Sequence, residues 1–137
     1  MKEIKKIFGP KVEDVAMAIV KEYNDEQAAA WFVYLINFQD RPLENVLIVS
    51  SGYGKKDGKK VETSKLRFYY ENISPKSYTK VELILEDVLE LSNQYWLSYY
   101  QDKEIYDRKY IFLANTIEEQ FFTDIPYIEK KGVLISA

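Results

Sequence analysis

The chain has 137 residues, 47% of them apolar and 15% aromatic, and a formal net charge of −3. It contains no Cys and no His, which excludes, within a single chain, thiolate nucleophiles, Cys or His metal sites and imidazole acid–base catalysis. The small negative charge exerts no whole-protein pull on nucleic acid or on an anionic membrane.

A chain of this length buries roughly two thirds of its unfolded surface, so one domain over residues 1–137 needs no disulfide or metal to hold it. The 12 Tyr, 7 Phe and 2 Trp favour pleated, half-buried surfaces and lean the chain toward β structure. The opening MKEIKKIFGP has no apolar run long enough for a secretory signal, and no stretch approaches the ~20 apolar residues of a membrane span. A soluble, cytoplasmic protein is expected, with residues 1–11 a flexible or peripheral lead-in up to the break at Gly9-Pro10.

Val12 to Tyr23 fits one face of a helix through Val12, Val15, Ala16, Ile19 and Tyr23, and alternates like a strand through Val15, Met17 and Ile19. The polar cluster Asn24 to Gln27 and the strand that follows favour a hairpin; the helical alternative would make the fold α+β. Trp31 to Phe38 reads as a central strand, apolar on both faces until Asn37. Leu43 to Ser50 is a second strong strand. Beyond the glycine-rich loop, VETSKLRFYYENI places Leu66, Phe68 and Tyr70 on one face and Lys65, Arg67 and Tyr69 on the other. Ser77 to Leu85 is a further strand, read with Val81, Leu83 and Leu85 facing inward. Glu86 to Asn93 forms a helical turn or a loop. Tyr95 to Tyr100 and Glu104 to Leu113 make a hairpin around Gln101-Asp-Lys103. Thr116-Ile-Glu-Glu119 has the spacing of a capping box that starts a short helix through Phe122. Lys131 to Ile135 closes the chain as an edge strand. About seven short strands with turn signals near every dozen residues predict an all-β, antiparallel two-sheet sandwich, and without βαβ alternation a doubly wound nucleotide fold is not expected.

The loop SSGYGKKDGKK, Ser50 to Lys60, tests whether the chain grips a phosphate. A P-loop requires four residues between its glycines and Ser or Thr after the lysine; here three residues separate Gly54 from Gly58, and Lys60 stands in the last place. The G-x-G-x-x-G pattern fails at Asp57. Both motifs need a helix after the loop, whereas an alternating strand follows, and Asp57-Gly58 is a turn dipeptide. The loop reads as a hairpin tip carrying Lys55, Lys56, Lys59 and Lys60. From Tyr53 to Arg67 six bases stand against two acids, a local balance of +4, and from Glu82 to Glu129 eleven acids stand against three bases, −8. Both read as solvated faces, and a basic tip of this kind makes salt-sensitive contact with any anionic partner.

No catalytic, cofactor or metal residues emerge. The adjacent carboxylates Glu13 and Asp14, and Glu118 and Glu119, show nothing of the ~5–10 Å cleft geometry of a glycosidase. No EF-hand run and no G-x-S-x-G elbow is present. The aromatics carry the functional reading. In Phe68-Tyr69-Tyr70 and in Tyr95-Trp96 with Tyr99-Tyr100, neighbouring rings lie on opposite faces, so one set is core and the other is free for an exposed sheet face. Tyr69, Trp96, Tyr99 and Tyr100, with the four lysines, are the expected interaction surface, for protein or, alternatively, for carbohydrate or a small ligand.

The run LINFQDRPLENVLIVSSGYG followed by ISPKSYTKVELI resembles immunoglobulin-like sandwich modules of the bacterial adhesion-repeat and adaptin-ear kind. The carriers are a strand ending in Asn37, the stretch Asn45-Val46-Leu47-Ile48, and the Ser74-Pro75 turn before the strand Tyr78 to Leu85. The resemblance spans about residues 32–85 and is one of fold pattern; the chain is also similar to short free-standing bacterial proteins. It implies a scaffold or binding unit rather than an enzyme; the residues themselves lead to the expectation of no cofactor and of a protein partner or a second copy.

Overall fold

The computed structural model describes residues 10–137; most of the expected lead-in lies outside them. Ten strands form: β1 Val15–Tyr23, β2 Ala29–Asn37, β3 Leu43–Lys56, β4 Lys59–Glu62, β5 Leu66–Ile73, β6 Ser77–Ile84, β7 Ser92–Gln101, β8 Glu104–Phe112, β9 Thr123–Ile125 and β10 Lys130–Ser136. The first sheet runs β6-β2-β1-β10-β9. The second runs β3-β7-β8, with β5 and then β4 lying end to end along the other edge of β3. Every pairing is antiparallel. The protein is an all-β two-sheet sandwich, and among the described residues no helix is long and apolar enough to cross a membrane.

The ambiguous stretch after Val12 is the strand β1, central in its sheet and buried on both sides from Val15 to Val20. Its odd positions, Val15, Met17 and Ile19, enter the core between the sheets with Val33, Leu35, Ile48 and Leu97. Each such side chain removed from water contributes on the order of 1.5–3 kcal/mol. The Tyr110 hydroxyl ties the layers together by donating to the Val15 carbonyl at 2.6 Å, and burial raises the pKa of that phenol. Asn37 clamps a corner, its amide donating to the carbonyls of Arg41 and Ser74.

Several expectations are corrected. There are ten strands rather than about seven: the stretch from Val61 to Ile73 divides at Thr63, whose hydroxyl takes the Gly52 amide proton at 2.6 Å, and the three-residue β9 adds another. Leu83 and Leu85 are exposed while Val81 and Ile84 enter the core, because the β2–β6 register slips between Val33 and Tyr34, and a one-residue slip reverses every later side chain. The expectation of a helical turn or a loop from Glu86 to Asn93 is met by a 3-10 turn, Glu86–Glu90. The capping-box spacing yields only a 3-10 turn, Glu119–Phe121, with no side-chain cap. β10 is an interior strand, not an edge, since β9 pairs on its far side. There a Cβ on Gly132 would run into the carbonyl oxygen of Ile19, which explains the glycine.

Candidate interaction surface

The lysine loop is a hairpin that extends the strands to a two-residue turn. Asp57 and Gly58 both have positive φ, 53° and 76°, as the tightest hairpin turn requires. Lys55 stands opposite Lys60, and Lys56 opposite Lys59, so the four lysines stand at a solvated tip, where Lys56 reaches Glu90 at 4.0 Å. That tip is not part of the aromatic face, because Lys55 lies six residues past Val49, about 20 Å along an extended strand.

The outer face of the second sheet is a different surface. β7 alternates cleanly: Asn93, Tyr95, Leu97, Tyr99 and Gln101 are buried, while Trp96 and Tyr100 point out. Cross-strand register arranges the outward residues in rows. One row runs Arg67, Val49, Trp96, Lys109 across β5, β3, β7 and β8, and the next runs Tyr69, Leu47, Ser98, Asp107. A third row sets Tyr100 beside Ile105. Tyr69 is 61% exposed, Trp96 49% and Tyr100 42%. The Lys109 ammonium sits 5.1 Å from the centre of the Trp96 ring, and the Tyr69 hydroxyl donates to Asn45 at 2.7 Å. Both contacts hold the rings in place.

Tyr99 does not belong to this surface. It is 1% exposed, facing the core and stacked on Tyr106 with ring centres 5.1 Å apart; burial, chiefly, pushes its pKa up to about 12. The neighbouring pair Tyr99-Tyr100 had to split between the faces, and period two assigns Tyr100 to the outside once Trp96 is outside. The sequence reading also missed the apolar strip Leu47 and Val49 between the aromatics and the charges that frame it.

A concavity of about 250 Å³ opens between β6 and the β3–β5 edge of the second sheet, lined by Ser50, Thr63, Leu66, Glu82, Leu85 and Tyr95 among others. Burial, the largest influence, raises the Glu82 carboxyl above the ordinary range, while the hydroxyls of Ser50 and Tyr95 work against the rise. The Oε2 atom of Glu82 is buried with no partner. Glu82 is the sole carboxylate among the described residues lining this cleft, so a paired-carboxylate mechanism has no second member there. The bulge that turned Glu82 inward left no mark in the alternation of VELILE. Of the carboxylates singled out in sequence, Glu119 is paired to Lys21 at 3.0 Å and Glu118 accepts from Gln120 at 2.6 Å.

No family model matches the chain, and no curated protein or solved structure matches it.

Proposed function

We propose that the protein is a non-catalytic β-sandwich module, immunoglobulin-like in its pattern, that binds another protein chain through the outer face of its second sheet. The observation that carries this reading is the row structure of that face: Trp96, Tyr69 and Tyr100 surround an apolar strip, with Arg67, Lys109 and Asp107 at its margins. Trp, Tyr and Arg are the residue types enriched where protein partners meet. A sugar-stacking platform needs free ring faces, whereas one face of Trp96 has Lys109 above it, so a protein partner is favoured over a carbohydrate.

The test replaces Tyr100, at the rim, with a photo-reactive amino acid in cells that express the chain. Illumination should yield a covalent adduct with a polypeptide, suppressed by Trp96→Glu, and the same probe at Tyr127 on the opposite side should give none. No adduct from position 100 would remove the reading.

A further inference from the structure

We propose that the partner of this face is a second copy of the chain, packed face to face about a two-fold axis; the inference rests on reading the face as an interaction surface. The argument comes from register. Two central rows, Arg67-Val49-Trp96-Lys109 and Tyr69-Leu47-Ser98-Asp107, lie side by side on the same four strands. A half turn about an axis in the plane of the face, crossing the strands midway between these rows, places each row over the other row of the second copy.

The two rows are then complements at every position. Lys109 meets Asp107 of the second copy, an opposite-charge pair formed twice. Arg67 meets the Tyr69 ring, a cation–π pair formed twice. The bulky Trp96 meets the small Ser98, and Val49 meets Leu47, so large fits against small and apolar against apolar. The flanking rows continue the match, with Ile111 over Ile105 and Gln94 over Tyr100. Stacked sheets sit about 10 Å apart with strands crossing at about 30°; that tilt offsets the outer strands by a few ångströms, within the reach of Lys and Arg side chains.

A two-fold running along the strands between β3 and β7 gives the contrasting orientation. It sets Arg67 on Lys109 and Tyr69 on Asp107, with two repulsive contacts and no ion pair. The charge pattern therefore selects one orientation.

Lys109→Asp and Asp107→Lys test this directly, because both positions are exposed and each variant can be checked for an unchanged melting temperature at a concentration where every chain is monomeric. Sedimentation velocity from about 1 to 100 µM should show the unaltered chain passing to dimer, and each variant alone at least about tenfold weaker. An equimolar mixture of the two variants should dimerise again. In the mixed dimer the acid introduced at position 109 faces the lysine introduced at position 107, and the remaining native Asp107 faces the remaining native Lys109. A chain that stays monomeric throughout, or a mixture no tighter than its components, would overturn the proposal. If the adduct at position 100 forms with a polypeptide of another mass, the second copy is wrong and the binding face stands. If no adduct forms at all, both fall.

Discussion

The two sheets present outer faces of opposite kinds. On the first sheet, Ala16, Ala18, Val20, Tyr34 and Ile36 would lie bare, but the chain returns after β8 and lays Ile125 and Ile128 across them, forming a second buried cluster. Around its margin Glu22 accepts the Tyr34 hydroxyl proton at 2.5 Å and lies within 3.2–3.5 Å of Lys130 and Lys80. On the second sheet, no described segment covers Trp96, Tyr69 or Tyr100. The difference separates a face whose central residues the chain itself covers, leaving Tyr78 and Tyr127 exposed around it, from a face whose Trp96, Tyr69 and Tyr100 stay exposed.

The sharpest way to break this contrast is to truncate equivalent apolar groups on the two faces. Ile125→Ala opens a cavity in the covered cluster and should cost about 2–5 kcal/mol in chemical denaturation, whereas Trp96→Ala, on the open face, should leave the stability of the monomer within about 0.5 kcal/mol. A comparable loss at both positions would erase the distinction.

The next largest effect lies at the margin of the covered face. Burial alone would raise the Glu22 carboxyl, but the Tyr34 hydroxyl, Lys130 and Lys80 outweigh it and hold the pKa below its ordinary value. A depressed carboxylate stabilises the fold above its unfolded pKa, and that stability is lost as pH falls through the folded one. Tyr34→Phe should therefore cost about 1.5–3 kcal/mol at neutral pH, measured by urea titration, and less below the normal carboxylate range. A penalty independent of pH would show that the hydroxyl is not holding a charge.

The smallest effect concerns Glu82, whose carboxyl is shifted the other way. Its raised pKa means that ionisation opposes folding: the fold is relatively better off below the unfolded pKa, and this advantage disappears as pH rises through the folded one. Glu82→Gln should stabilise the protein at neutral pH by under about 1 kcal/mol, because part of the side chain still faces water. The gain should vanish in thermal melts run below the ordinary Glu range; destabilisation at neutral pH would show that the charge is needed.

Much of the architecture was legible because the chain alternates where a sheet has one wet face. β7 and β8 read correctly as a hairpin, and its turn at Asp102 and Lys103 has the positive φ values that the tightest hairpins use. The exposed positions of Trp96 and Tyr100 follow from the same period. Tyr99 was misassigned because it was placed on one surface with Trp96, an odd number of positions away, which alternation alone forbids; only the choice of which parity faces the core depends on the register with β3. The inward turn of Glu82 and the outward turn of Leu83 depend on a bulge between β2 and β6, which is a property of pairing and not of either strand alone. Nor did local pattern show that β10 is interior, since its neighbour β9 has only three residues.

Side-chain oxidation by hydroxyl radicals, compared between cells that express the chain and the purified chain at high dilution, tests the division between the faces most directly. The account predicts that Trp96, Tyr69 and Tyr100 are shielded in the cell, while Tyr78 and Tyr127, exposed on the first-sheet side, are labelled equally in both. Equal labelling of Trp96 in the two conditions, or shielding confined to Tyr78 and Tyr127, would contradict it.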